Sequence, residues 1–152
     1  MLDDLDYKIL EHLSLNGRAT WADLAHILGL SAPSAAERVK RLEEKGVIVG
    51  YSAILNYKLL GYSLTAFIAV SLSHPKYMTG FLKAIEEMVE AEECHHVAGD
   101  DDYILKVRCK DTEHLDKFLN ESLKILPGIS RTRTTIVLSS SKESSIKKLN
   151  KI

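Results

Sequence analysis

TWADLAHILGLSAPSAAERVKRLEEKG, residues Thr20–Gly46, holds two helical patterns joined by a Gly-Leu-Ser turn. Thr20 can cap the first, and Asp23 stands where a capping box needs its acidic partner. Leu24, Ile27 and Leu28 supply that helix with an apolar side, and Gly29 ends it where a β-carbon is costly. Ser31 can cap the second helix, and Pro33 falls in its first turn, where the missing N–H does little harm. Ala35, Val39 and Leu42 recur at helical spacing and form its buried stripe. A short helix, a tight turn and a longer amphipathic helix make the layout of a helix-turn-helix, whose second helix enters a DNA major groove.

The outward side of that second helix names candidate contacts. Ser34, Glu37, Arg38 and Arg41 are the expected base readers. Arginine suits guanine edges or phosphates, and glutamate can accept from cytosine. Lys40 and Lys45 are expected on phosphates, with Ser31 at the helix start. The competing reading is a solvated polar face in which these charges pair with one another.

Upstream, Leu2, Leu5, Ile9 and Leu13 form one apolar stripe, with Asp3 as N-cap and Asp6 as its capping-box partner. This helix should stop near Asn16-Gly17. Residues 1–50 thus read as a helix-turn-helix domain of winged-helix type. Val47–Leu55 reads as extended, a wing or a linker, with residues 51–61 as a strand linker to the second domain.

The chain has 152 residues, with 20 basic against 21 acidic side chains and a formal net charge of -1. That length suits one average domain or two small ones. Near-neutral charge argues against a strong phosphate grip by one subunit, but a local patch doubled in a dimer can suffice. The acidic start MLDDLDYK and the lack of a long apolar run lead us to expect a cytoplasmic protein. Cys94 and Cys109 form no CxxC pair, so two reduced thiols are expected, with no metal and no cofactor.

From Tyr62 the period changes to two. Leu64, Ala66, Ile68, Val70 and Leu72 alternate along a first strand. A helix over Met78–Glu90 comes next, with Phe81, Ile85, Met88 and Val89 on its apolar side. Glu93–Ala98 is a second strand, Gly99–Asp102 a tight turn, and Tyr103–Cys109 a third strand. Asp111 or Thr112 can cap a second helix that buries Leu115, Phe118, Leu119, Leu123 and Leu126; Pro127-Gly128 ends it, and Ile129–Leu138 is a fourth strand. Strand-helix-strand-strand-helix-strand is the ferredoxin-like βαββαβ unit, so the expected class is α+β, with this unit spanning residues 62–139. Its helices cover one sheet face. Ala66, Val97, Ile104 and Ile136 ask for more cover than one helix layer provides, which predicts a homodimer through the sheet, with larger assemblies open. The polar tail, 140–152, is expected to fray or dock loosely.

These residues carry a resemblance. Leu5-Asp6, Leu24-Ala25, Leu30-Ser31, Arg38–Glu43 and Gly46-Val47-Ile48 in the first part, then Val97-Ala98-Gly99, Asp102-Tyr103, Leu126–Ile129 and Thr132–Thr134, resemble the Lrp/AsnC (feast/famine) transcriptional regulators over nearly the whole chain. The resemblance implies sequence-specific double-stranded DNA binding by homodimers or rings of dimers, often octamers, tuned by a small effector, usually an amino acid. It also implies an effector site at Ala98, Gly99, Asp100, Asp102, Thr132 and Thr134. In that site Gly99 would admit a ligand and its neighbouring N–H groups would hold a carboxylate, Asp102 would accept from an amino group, and the threonines would donate hydroxyls.

The run Asp100-Asp101-Asp102 departs from the family pattern, because three acids together repel a carboxylate unless offset. It leaves a basic ligand, a cation or no ligand open. An effector-independent DNA-organising oligomer also stays open, as does a metabolite-binding or enzymatic ferredoxin-like protein. For enzymatic chemistry the candidates are His95 and His96, which a strand sends to opposite faces, so they make poor partners.

Overall fold

The computed structural model describes residues 2–143, so the part of the expected tail from 144 onward lies outside the described residues. Residues 2–54 belong to one compact unit and residues 55–141 to another.

The first unit contains α1 (Asp4–Leu15), α2 (Trp21–Leu28) and α3 (Ala32–Glu44). Each helix starts on a side-chain cap. Asp3 Oδ1 accepts from the Asp6 N–H at 2.8 Å while Asp6 Oδ2 accepts from the Asp3 N–H at 3.1 Å. Thr20 and Asp23 make the same reciprocal pair, and Ser31 Oγ accepts from the Ser34 N–H. Such exchanges satisfy N–H groups that a helix start leaves without partners. At the end of α2, Gly29 adopts φ 65°, which lets the Leu30 N–H reach back to the Ala25 carbonyl at 3.0 Å.

Ile9, Leu24, Ala25, Leu28, Ala35, Val39 and Leu42 form the core of this unit. Ile27 was expected in it but is 42% exposed, and Ala25 takes the buried position instead. Leu2, Leu5 and Leu13 pack only at its margin. Asp6, in contrast, is buried.

The stretch after α3 differs from expectation. The Gly46 and Val47 N–H groups fold back onto the carbonyls of Glu43 and Leu42, and Ile48 packs on the core. Residues 49–56 then run without strand structure, and residues 57–61 form turns. The anticipated strand over Val47–Leu55, and the strand linker over 51–61, are therefore irregular chain. A strand needs a neighbour for its N–H and C=O groups, and no described strand pairs with residues 47–61.

The second unit contains β1 (Leu64–Leu72), α4 (Met78–Glu87), β2 (Ala91–His96), β3 (Tyr103–Cys109), α5 (Thr112–Lys117) and β4 (Ile129–Ile136). The strands lie in the order β2-β3-β1-β4, each pair antiparallel. Together with the element order, this is the anticipated ferredoxin-like arrangement. Boundaries moved where local cues were weak. α4 ends before Glu90, leaving Val89 90% exposed, and β2 begins two residues earlier than expected. After α5 the helix widens into a π-turn over Phe118–Leu123.

Ala66, Ile68 and Val70 of β1 and Tyr103, Leu105, Val107 and Cys109 of β3 are buried with Phe81, Ile85, Leu115, Phe118 and Leu123. Residues opposite one another in an antiparallel pair share a face. Phe67 pairs with Lys106 and Thr135, Ala69 with Ile104 and Arg133, and Ser71 with Arg131. These residues form the second, helix-free face, where Phe67 is 43% exposed. Two of the residues expected to need a second cover, Ala66 and Ile136, are register partners on the helix side. Ile104 belongs to the open face.

Candidate functional site

α3 buries Ala35, Val39 and Leu42 and turns Ser34, Glu37 and Lys40 outward, with Arg41 partly outward and Lys45 exposed at the C-cap. A shallow concavity of about 560 Å³ lies along this side, lined by Ser34, Glu37, Arg38, Lys40, Arg41 and Glu44. Ser31 and Ser34 are joined hydroxyl to hydroxyl at 2.9 Å while Ser31 also caps the helix. Lys40 Nζ lies 3.6 Å from Glu44. An exposed pair of this kind is weak and yields readily to a phosphate.

The two arginines have a second role. Arg38 Nη1 donates to Asp3 Oδ2 at 2.7 Å and to Asp6 Oδ1 at 2.9 Å. Arg41 Nη2 donates to the same Asp6 Oδ1 at 3.0 Å. These bonds tie α3 to the first turn of α1. The Arg38 hydrogen bond holds the Asp3 carboxyl below the usual carboxylate range, and the carboxylates in turn reinforce the charge on Arg38. Arg38 Nε and Nη2, and Arg41 Nε and Nη1, make no hydrogen bond among the described residues.

The β2–β3 turn closes with the Val97 N–H on the Asp102 carbonyl at 2.9 Å. Ala98, Gly99 and Asp100 are exposed. Asp102 is tied to β1 twice, through its own N–H to the Val70 carbonyl and through Oδ2, which accepts from the Leu72 N–H at 2.7 Å. Thr132 is the β4 partner of Val70, so Asp102 and Thr132 converge on one residue of β1. Thr134 pairs with Ile68, two positions farther from the turn, on the same side of the sheet.

The acidic triplet is offset by neighbours that local reading passed over. Asp101 is 6% exposed and accepts from the Ser71 hydroxyl, from Arg131 Nη2 at 2.9 Å and from Arg133 Nη2 at 2.7 Å. The Ser71 hydroxyl first, then the two guanidinium groups, hold its pKa below the ordinary carboxylate value. Arg131 Nη2 also donates to the Asp100 carbonyl. The triplet therefore carries much less negative potential than its sequence suggests.

A winged helix-turn-helix DNA-binding model matches residues 2–49, and the Lrp/AsnC ligand binding domain model matches residues 65–146. The chain belongs to the Lrp/AsnC family. It is 42% identical over 144 residues to the leucine-responsive regulatory protein of Haemophilus influenzae, covering 93% of this chain and 87% of that one. Its counterpart in Escherichia coli strain K12 is 41% identical over 145 residues, covering 94% and 88%. Among solved structures, a transcriptional regulator of Neisseria meningitidis in complex with L-methionine superposes with a TM-score of 0.95 at 29% identity, covering 99% of this chain and 98% of that one. E. coli AsnC superposes with a TM-score of 0.90 at 30% identity, covering 96% and 98%.

As an Lrp/AsnC protein, the chain joins a DNA-binding half to an effector-binding half in a family of effector-responsive transcriptional regulators. In this Lrp/AsnC protein the role of Asp6 as a partner of α3 is not apparent from its capping-box position. The signal was present, because position 6 falls on the stripe of Leu2, Ile9 and Leu13, where a charge needs a buried partner. Arg131 and Arg133 were missed because alternation assigns them a face but no partner. His95 and His96 diverge as expected: His95 bonds Glu93 at 2.9 Å, and His96 stacks on Tyr103 at 5.0 Å. Among the described residues, no three His, Cys, Asp or Glu side chains converge to hold a metal ion, and no helix is long and apolar enough to cross a membrane.

Proposed function

We propose that this chain is a sequence-specific regulator of transcription that responds to an amino acid, working in the cytoplasm as a homodimer or ring of dimers. The observation that carries the DNA reading is the outward face of α3, where serine, glutamate, lysine and arginine line one concavity. Glu37, Arg38, Arg41 and Ser34 are the proposed base readers, Lys40 and Lys45 the phosphate contacts, and Ser31 the residue that fixes the helix start. Two copies double the local positive charge that one chain of net charge -1 lacks. The exposed Phe67 and its neighbours Ala69 and Ile104 support a second copy as the cover of the open sheet face.

The methionine complex of the Neisseria meningitidis regulator and the names of the leucine-responsive relatives support an amino-acid effector here. Its proposed site is the turn Ala98, Gly99, Asp100 and Asp102 with Thr132 and Thr134. Asp102 would meet the amino group with Oδ1, since Oδ2 is taken by the Leu72 N–H. Arg131 and Arg133 remove the charge objection to a ligand carboxylate.

The test has two arms. Duplexes selected by the protein from a random pool are titrated against the wild type and against Glu37→Gln with Lys40→Ala. The DNA reading requires binding at low salt that these changes weaken or redirect; no binding, or unchanged binding, overturns it. Thermal melting is then followed with each of the standard amino acids, for the wild type and Asp102→Asn. A shift lost in the variant supports the site. A shift retained by it moves the effector elsewhere, and no shift at all favours an effector-independent DNA organiser.

A further inference from the structure

The clamp between α1 and α3 joins residues 32 and 35 positions apart in sequence through a single buried carboxylate. Asp6 is 1% exposed, and its side chain serves three groups: the Asp3 N–H, Arg38 and Arg41. The side chains of Arg38 and Arg41 are 24% and 44% exposed, and both line the concavity of α3. Each guanidinium is gripped at one terminal nitrogen, and among the described residues its Nε and other terminal nitrogen make no hydrogen bond.

We infer that Asp6 is a positioning residue for DNA recognition: it holds Arg38 and Arg41 in one orientation and offsets their charge, so that they read bases rather than grip any phosphate. The inference rests on the DNA-binding reading of α3. A free arginine has many rotamers and meets phosphates wherever the backbone passes. An arginine fixed at one end presents its remaining donors as a fork, the geometry that guanine edges require. The acidic partners also lower the positive potential of the face, which weakens sequence-independent binding more than a contact that depends on direction. Asp3 adds a second hold on Arg38, at the exposed side of the clamp.

The experiment compares wild type and Asp6→Asn on the duplex selected by the wild type and on a shuffled duplex of equal length, over a series of salt concentrations, with melting measured in parallel. Asparagine can still accept from the Asp3 N–H, so the capping role is kept. The expected result is that affinity for the shuffled duplex stays level or rises and its salt slope steepens by about one. Preference for the selected duplex should fall by about tenfold or more, the discrimination of one directed base contact.

A parallel loss on both duplexes with an unchanged salt slope means that Asp6 is structural only, and overturns the inference. So does an unchanged preference. If the wild type binds neither duplex, the DNA reading itself falls and the inference with it; if it binds and only the variant pattern fails, the DNA reading stands. Should Asp6→Asn fold poorly, Asp3→Asn frees one of the two holds on Arg38 and should show a smaller change in the same direction; no change there overturns the inference equally.

Discussion

Gly128 lies flush against the ring of Tyr77: a β-carbon at Gly128 would stand 2.1 Å from Tyr77 Cγ. Its φ of 87° is also one that residues with side chains rarely adopt. The Gly128 carbonyl meanwhile accepts from the Ser73 N–H at 2.8 Å and so fixes the start of β4 against the end of β1. Gly128→Ala should therefore destabilise the protein by at least about 2 kcal/mol, since backbone strain and overpacking each cost about 1–3 kcal/mol. Gly80, in the first turn of α4 with nothing near its missing β-carbon, is the control. Gly80→Ala should be neutral or stabilise by up to about 1 kcal/mol. Urea denaturation of the two variants separates these outcomes.

Acid should act through Asp3, Asp23 and Asp101, all held below the ordinary carboxylate value: Asp3 chiefly by the Arg38 hydrogen bond, Asp23 by the Thr20 hydroxyl and Asp101 by the Ser71 hydroxyl. A carboxyl with a lowered folded-state pKa contributes stability that is present above its unfolded value, near 4, and is lost as pH falls through the folded value. These groups should therefore contribute a flat stability profile from about pH 8 to 5 and a loss below about pH 4. Asp101→Asn should melt lower than the wild type at neutral pH, with a shallower acid limb. A limb as steep as that of the wild type would show that Asp101 is not among the groups responsible.

The thiols should differ in reactivity. Cys109 is fully buried, and burial pushes its pKa up to about 11. Cys94 is half-buried, with a pKa raised in the same direction by the same cause. The thiolate is the reacting species, so an alkylating reagent at mildly alkaline pH should label Cys94 slowly and Cys109 only after unfolding. Mass spectrometry of the labelled peptides reads this directly. Equal labelling of both in the native protein would contradict the buried position of Cys109.

Phe67 sits at the middle of β1 on the face without helices. If a second copy covers that face, Phe67→Glu should shift the solution mass to a smaller species while circular dichroism keeps the helix and strand signal. The mass is measured by light scattering behind a sizing column. A mass identical to that of the wild type would show that assembly uses another surface.

Much of the fold was legible because its cues are local. Thr20 with Asp23, Asp3 with Asp6, and Ser31 each mark a helix start within one turn, and the structure has the expected bonds at all three. The alternation of Tyr103, Leu105, Val107 and Cys109 assigned the buried face of β3. Ile27 was misread because periodicity says which side of a helix is apolar, whereas the layer it meets decides how far that side is covered; Val89 was misread because α4 ends at Glu87, before reaching it. Val47–Leu55 was misread because its composition favours extended chain while strand structure depends on a partner.

The candidate site divides along the same line. By itself the sequence determined which residues face outward on α3 and where the acidic turn falls, since helical and strand periods act over a few residues. Only the tertiary structure decided that Asp6 holds Arg38 and Arg41, and that Arg131 and Arg133 offset Asp101. These partners stand 30 to 35 positions apart in sequence. A charge makes the need for a counter-charge visible from the residue alone. Which counter-charge meets it is settled when helices pack and strands pair, because that is what brings distant side chains within hydrogen-bonding reach.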